Sequence, residues 1–274
     1  MFELVALRDG LHTLRDLETG ETFHPVVGPM AEASAIHISP LKLGTRLSGN
    51  DVFIIWDVGL GAAANAVALL EKLAGLPCSF HCRLISFDRT LEPFRFALAH
   101  AKALQYPIPW MDHLTELLES NLTQIVFRNG GVLDWEMCLA DFTLLPQAPS
   151  PDAIIYDPYS PSKNEAMWSL DHFCRLRRRL SKPVILTSYS RSTAVRVTLL
   201  LAGFYVGIGG ATGEKEQTTV AATDLALLEI PLTSEFLVRV RKSTSARPLG
   251  SAGKGPINDQ DLFELEKHNQ FTDC

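Results

Sequence analysis

A chain of 274 residues with 46% hydrophobic and 20% charged residues has ordinary globular composition and enough length to bury a sizeable core. No apolar run reaches the roughly 18 to 20 residues of a membrane span, and Met1-Phe2-Glu3-Leu4 lacks the basic flank and apolar core of a signal peptide, so a cytoplasmic location is expected. A formal net charge of -6 argues against a protein that coats nucleic acid nonspecifically, while leaving room for a local basic patch.

One α/β domain with additions is expected: a β-hairpin extension over 1–50, a main domain over 51–242, and a flexible tail over 243–274. In the extension, Val5-Ala6-Leu7, a turn at Asp9-Gly10, then His12 to Leu17 and the Gly20 turn read as a hairpin meander. From Met30 to Ile38 the pattern fits equally a short helix carrying Glu32 on one face or a strand.

Phe53-Ile54-Ile55-Trp56 is a compact apolar strand, followed by Asp57-Val58-Gly59-Leu60-Gly61 and a helical run from Ala62 to Leu73. Gly59 and Gly61 permit a tight turn and close approach of backbone to a ligand, and the helix N-terminus offers free N–H groups. A nucleoside site also needs an acid at the end of the next strand, which Arg83 to Asp88 supplies. Asp88 is thus a candidate acceptor for ribose hydroxyls or the cap of the helix Glu92 to Leu104.

Thr123 to Phe127 and Trp135 to Leu139 read as strands around an Asn129-Gly130-Gly131 turn. Asp141, just beyond, would share a sheet edge with Gly59 and Asp88, either accepting from an adenine amino group or standing as a loop aspartate. Ala153 to Tyr156 is a short buried strand that stops at Asp157-Pro158-Tyr159, placing a carboxylate and an aromatic where open α/β sheets bind ligands.

Glu165 to Leu180 reads as a helix, and Arg175, Arg177, Arg178, Arg179 and Lys182 make the one dense basic cluster: a solvated face or a phosphate contact. Strands at Pro183 to Thr187, Phe204 to Ile208 and Gln217 to Ala222 follow, with a helix Ser192 to Ala202 and a loop containing Gly209, Gly210 and Gly213. That loop lacks the G-K-[ST] of a phosphate-binding P-loop. After Lys242, Ser, Gly, Pro and Ala dominate, with one helix fitting Asp261 to Lys267. The five cysteines, Cys78, Cys82, Cys138, Cys174 and Cys274, are scattered without zinc-ligand spacing, so reduced thiols and no metal are expected.

The alternation predicts a Rossmann-like class I methyltransferase fold, a mostly parallel seven-stranded sheet with helices on both faces. S-adenosylmethionine would lie across Gly59, Gly61, Asp88 and Asp141. A dinucleotide dehydrogenase would carry G-x-G-x-x-G, and Ala64 stands at the third glycine. The segment Asp157-Pro158-Tyr159 resembles the D/N-P-P-Y/F motif of amino-group methyltransferases. The longer run from Asp157 to Trp168 (D-P-Y-S-P-S-K-N-E-A-M-W) resembles the D-G-F-A-P-A-K-N-P-x-M-W signature of the MnmC methyltransferase-domain family, which modifies the tRNA wobble uridine. Asp57 to Asn65 is similar to that family's D-x-G-F-G-T-G-x-N, with Ala63 at its last glycine. Leu186 to Ser190, Ala202-Gly203-Phe204 and Gly20-Glu21-Thr22-Phe23-His24 through Glu32-Ala33 also agree with it.

The resemblance implies methylation of the exocyclic amine of 5-aminomethyl-2-thiouridine in tRNA, by S-adenosylmethionine and without metal or flavin. It makes Asp157 the acid beside the reacting amine, and Asp57, Gly59, Gly61, Asn65, Asp88 and Asp141 the cofactor set. Tyr159, Lys163, Asn164, Tyr189 and Lys215 become substrate contacts. An in-line displacement of this kind depends mainly on positioning. Two other readings share these features: a methyltransferase for a small amine or protein side chain, and a nucleotide-binding domain without chemistry.

Overall fold

The computed structural model describes residues 1–7, 10–24, 27–47, 51–212, 217–250 and 253–272; the expected turn residue Asp9 and the substrate candidate Lys215 lie outside them. Strands β1 (Phe2–Ala6) and β2 (His12–Asp16) pair antiparallel as a two-stranded ribbon. The stretch that fitted helix or strand is helical: α1 (Pro29–Glu32) starts with Pro at its first position, where no N–H is missed, and runs into a π-helical turn over Ala33–Ile38. A single helical turn, α2 (Leu43–Arg46), closes the extension.

The main domain then alternates. Its elements are β3 (Phe53–Val58), α3 (Ala64–Ala74), β4 (His81–Asp88), α4 (Glu92–Ala99), α5 (Met111–Ser120), β5 (Leu122–Val126), β6 (Val132–Leu139) and β7 (Ala153–Tyr156). They continue with α6 (Glu165–Trp168), α7 (Leu170–Arg179), β8 (Ile185–Ser188), α8 (Thr193–Leu201), β9 (Tyr205–Gly209), β10 (Thr218–Ala222) and α9 (Glu235–Lys242). The sheet order is β5-β6-β4-β3-β7-β8-β10-β9. The five strands from β6 to β8 are mutually parallel, while β5 and β10 run antiparallel to their neighbours. This is the expected mixed α/β sheet with one strand more than seven. The extra one, β5, pairs with β6 through the Asn129-Gly130-Gly131 turn, whose glycine at φ 81° suits the tight reversal.

Alternation along the strands separates two cores. Ile55, Leu84 and Ile155 face Val67, Leu69, Phe94 and Leu114 of α3 to α5, together with Ala33 and Ile38 of the extension. The intervening Trp56, Ile85 and Ile154 face Phe173, Leu176, Val197 and Phe236 of α7 to α9. Both faces are therefore covered, as buried parallel strands require. Strand order reverses at β3, whose neighbours are β4 on one side and β7 on the other. The carboxyl ends of β3 and β7 thus border the switch-point crevice where α/β sheets take ligands.

The stretch after Lys242, expected to be a flexible tail, carries α10 (Asp259–Glu266) and α11 (Asn269–Thr272). Gln270 is 4% exposed and acts as a strand surrogate. Its Nε2 donates to the Val206 and Leu232 carbonyls, and its Oε1 accepts from Val206 N–H at 2.7 Å. Leu265 is fully buried against the second core. A polar linker composition hid these two anchors, Leu265 and Gln270, because it is the average of a segment that reads as disordered, not its few buried members.

Candidate active site

The turn after β3 is built on glycine for steric reasons. Gly59 has φ 90°, and a Cβ there would sit 2.7 Å from the Asp157 carbonyl oxygen and 3.1 Å from Pro158 Cα. Only glycine lets the β3 and β7 ends approach this closely. Gly59 N–H donates to the Phe87 carbonyl at 2.9 Å, and Gly61 N–H to Asp88 Oδ2 at 3.0 Å, tying the turn to the end of β4. Asp88 also accepts from Arg89 and Thr90 N–H through its other oxygen. Burial raises its pKa, and those three N–H groups offset only part of the rise.

A cleft of about 1040 Å³ opens at this edge. Gly59, Gly61, Asp88, Asp141, Asp157, Tyr159, Lys163, Asn164 and Tyr189 all line it, so nine of the expected site residues converge there. Asp57 and Asn65 do not line it; they are buried one layer behind, at 0% and 3% exposure. Asp57 Oδ2 accepts from Ser86 Oγ at 2.8 Å, which in turn accepts from Trp135 Nε1 at 3.0 Å. Its Oδ1 has no partner. Burial pushes its pKa up to about 7, with the charges of Asp157 and Asp88 adding to the rise against the Ser86 hydrogen bond. Asp141 caps the turn Phe142–Leu144 by accepting from the Thr143 hydroxyl at 2.7 Å and amide at 2.9 Å, which hold its carboxyl below the ordinary value.

Asp157 is the centre of the arrangement. Asn65 Nδ2 donates to its Oδ2 at 2.7 Å, His24 Nε2 lies 3.6 Å from the same oxygen, and His37 Nε2 lies 3.6 Å from Oδ1. Burial alone would raise its pKa; the charges of His37 and His24 and the Asn65 hydrogen bond more than offset that, and the carboxyl lies below its ordinary value. The loop carrying it is held from both sides. Tyr156 Oη donates to the Met167 carbonyl and Trp168 Nε1 to the Tyr159 carbonyl at 2.8 Å, so α6 buries its Met-Trp pair to fix the loop. From the hairpin, Glu21 accepts from Ser160 N–H at 3.0 Å and from its hydroxyl, and Asp16 accepts from Tyr159 Oη at 3.0 Å. Burial and then Asp16 raise the Tyr159 pKa, so the phenol stays protonated.

The extension thus supplies Asp16, Glu21, Phe23, Glu32 and His24 to the cleft wall, and His37 behind it. Sequence reading gave no role to the two histidines. The Gly20 to His24 block was visible as a resemblance, but its contact with Asp157 spans more than a hundred residues and exists only in the fold. The basic cluster on α7 is largely committed to structure: Arg175, Arg177 and Arg179 donate to the Thr143, Gly203 and Leu145 carbonyls, and Lys182 pairs with Asp152 at 2.8 Å. Among the described residues no group of His, Cys, Asp and Glu could hold a metal ion, and no helix is long and apolar enough to cross a membrane.

The family model for S-adenosyl-L-methionine-dependent methyltransferases matches residues 114–224. The tRNA 5-methylaminomethyl-2-thiouridine biosynthesis bifunctional protein MnmC of Methylibium petroleiphilum is 30% identical over 245 residues, 87% of this chain and 37% of that protein. The protein of the same name from Burkholderia vietnamiensis is 28% identical over 223 residues, 77% of this chain and 33% of its own length. These likenesses are to the MnmC methyltransferase-domain family. The chain spans about a third of the length of these curated relatives. The crystal structure of MnmC2 from Aquifex aeolicus superposes with a TM-score of 0.71 at 24% identity, covering 98% of this chain and 83% of that one, and shows the same fold.

The matched family model is that of S-adenosyl-L-methionine-dependent methyltransferases. The residues present fit S-adenosylmethionine as cofactor. The cleft exceeds the usual volume of a small-ligand pocket, enough for a nucleoside cofactor and an acceptor together. Asp88 and Asp141 line it on the β4 and β6 side, and Gly59, Leu60 and Gly61 of the turn after β3 also line it.

Proposed function

We propose that the protein methylates the primary amine of an aminomethyluridine at the tRNA wobble position, the reaction class named for its MnmC relatives. The observation that carries this reading is the Asp157 carboxylate, held ionised in the cleft beside the aromatic rings of Tyr159 and Tyr189. S-adenosylmethionine, when bound, supplies an electrophilic methyl group on sulfonium. Gly59 and Gly61 would admit it closely, Asp88 would accept from its ribose hydroxyls, and Asp141 would border its base. Asp57 and Asn65 act from behind, Asn65 by fixing one Asp157 oxygen.

Asp157 accepts an amine N–H and so turns the nitrogen lone pair toward the methyl group; in-line alignment is the main contribution to rate. Tyr159, Tyr189 and Asn164 border the acceptor, and Lys163, exposed at the cleft, meets phosphate. Lys215 is assigned to the substrate side from the sequence. A tRNA acceptor would place the reaction in the cytoplasm.

The test is methylation of an RNA hairpin carrying 5-aminomethyl-2-thiouridine, read by nucleoside mass spectrometry, beside calorimetry with S-adenosylmethionine. Asp157→Asn should lose at least about 100-fold in kcat/KM while binding cofactor within a few-fold of wild type. Full turnover by that variant would remove Asp157 from the mechanism.

A second reading, a small cationic amine as acceptor, is favoured by one observation: Asp16, Glu18, Glu21, Glu32, Asp88, Glu92, Asp141 and Asp157 all line the cleft, against Arg89, Lys163 and His24. Turnover that is indifferent to salt and needs no RNA would select it.

A further inference from the structure

His24 and His37 flank Asp157 from the extension, and their positions differ in kind. His24 lines the cleft with its side chain 13% exposed, whereas His37 is fully buried, with Nδ1 3.1 Å from Thr187 Oγ1 and Nε2 facing Asp157 Oδ1. Neither imidazole is within hydrogen-bonding distance of the carboxylate, because 3.6 Å exceeds the range of an N–H···O bond. Two acceptor atoms separated by that distance, His24 Nε2 and Asp157 Oδ2, can each lie about 2.8 Å from a single nitrogen placed between them. His24 also holds a left-handed backbone at φ 44°, a conformation a non-glycine residue adopts at a cost.

We infer that His24 is the proton acceptor for the acceptor amine, and that His37 is a positioning residue that fixes the Asp157 carboxylate from behind. The inference rests on the amine-methylation reading. An ammonium bound between His24 Nε2 and Asp157 Oδ2 gives one N–H proton to the neutral imidazole and keeps another hydrogen bonded to the carboxylate. The freed lone pair takes the methyl group, the electrons of the broken C–S bond stay on sulfur, and the product is a secondary ammonium beside a protonated His24. That proton then leaves to solvent through the open cleft.

The titratable groups around this pair are Asp57 from β3, Asp88 from β4, Asp16 and Glu21 from the hairpin, Glu32 from α1, Lys163 beyond β7, and the neutral phenol of Tyr189 from the end of β8. Their excess of negative charge favours a cationic acceptor over a neutral one, which is why the site needs a base inside it. His37 and the Asn65 hydrogen bond hold the carboxylate charged while that acceptor binds, so His24 itself can be neutral.

The experiment uses the full chain, saturating S-adenosylmethionine and the aminomethyluridine hairpin. His24→Gly, whose backbone suits φ 44°, should lose roughly 100- to 10000-fold in kcat/KM. Added imidazole should restore at least tenfold of it, with the rescued rate following the neutral fraction of the added base. His37→Gln should lower kcat with cofactor affinity retained, and imidazole should not rescue it. His24→Gln keeps hydrogen-bonding capacity without basicity, and its loss of rate makes the same distinction should glycine destabilise the hairpin. Either His24 variant turning over within threefold of wild type, or a folded His24→Gly that imidazole leaves unrescued, overturns the assignment. Failure of the wild-type protein to methylate the hairpin sinks the amine reading itself, and so is told apart from failure of this inference.

Discussion

Asp57 shows how one buried carboxyl sets the pH response of the molecule. Its side chain is fully buried, accepts one hydrogen bond from Ser86, and has its pKa raised from 3.8 to about 7, chiefly by desolvation. A group whose folded pKa is raised contributes stability that is complete below its unfolded value and lost as pH climbs through the folded value. The Asp57 contribution to the unfolding free energy of the protein without cofactor should therefore decline between about pH 4 and pH 7 by up to roughly 4 kcal/mol, at 1.36 kcal/mol per unit; Asp88, also raised, adds to the slope, and buried His172, lowered to about 4, opposes it. Asp157 works in the opposite window: its lowered pKa gives stability above the ordinary carboxylate range that is lost at more acid pH. Denaturant melts of wild type and Asp57→Asn across that interval check the claim. The difference between wild type and variant should fall with pH across that interval; a difference that does not change with pH would remove Asp57 from the response.

The strand, turn and helix from β3 to α3 present a second test at the scale of an element. Ala63, at the N-cap of α3, has φ 66° and ψ 16°, and it is fully buried. The family pattern has glycine there, which adopts this conformation without the roughly 1 to 2 kcal/mol that an L-residue pays. Ala66, three residues on in the same helix and equally buried, has ordinary helical geometry. Replacement by glycine removes the same methyl from the same core, so the burial loss cancels in the comparison. Ala63→Gly should thus cost at least about 1 kcal/mol less than Ala66→Gly, read as the difference in urea midpoints. Equal losses would show that the left-handed turn is not strained by its side chain.

These elements also show what was legible from the chain alone. The glycine turn, Asp88 and the Asp157 strand end were readable because apolar runs ending in glycine or proline are local signals, and the fold's rule for strand ends places them together. The docking of the tail through Gln270 was not readable, since a glutamine standing in for a strand leaves no periodic trace. Nor were His24 and His37, whose link to Asp157 joins the extension to the far end of β7. Asp57 and Asn65 belong to a local motif, yet their place behind the cleft depends on how α3 packs against β7.

Charge is distributed on the whole molecule in a way that separates binding RNA from admitting its reacting group. The net charge is -6, the charged residues lining the cleft are mainly carboxylates, and three arginines of the basic helix are held by backbone carbonyls. A polyanionic backbone is repelled by such a cleft, whereas a cationic aminomethyl group is drawn into it, so phosphates should contact the rim alone. Lys163 is the exposed lysine of that rim, carried on the turn whose amide groups of Lys163 and Asn164 both donate to the Ser160 carbonyl at 2.9 Å. On the RNA reading, Lys163→Ala should weaken binding of the hairpin and reduce the slope of log affinity against log salt by about 1. Cofactor affinity, set deeper in the cleft, should be unchanged. Anisotropy titrations over a range of salt concentrations measure both quantities. An unaltered slope would take Lys163 out of the phosphate contact, and a wild-type slope near zero would remove RNA as the acceptor and leave the small amine.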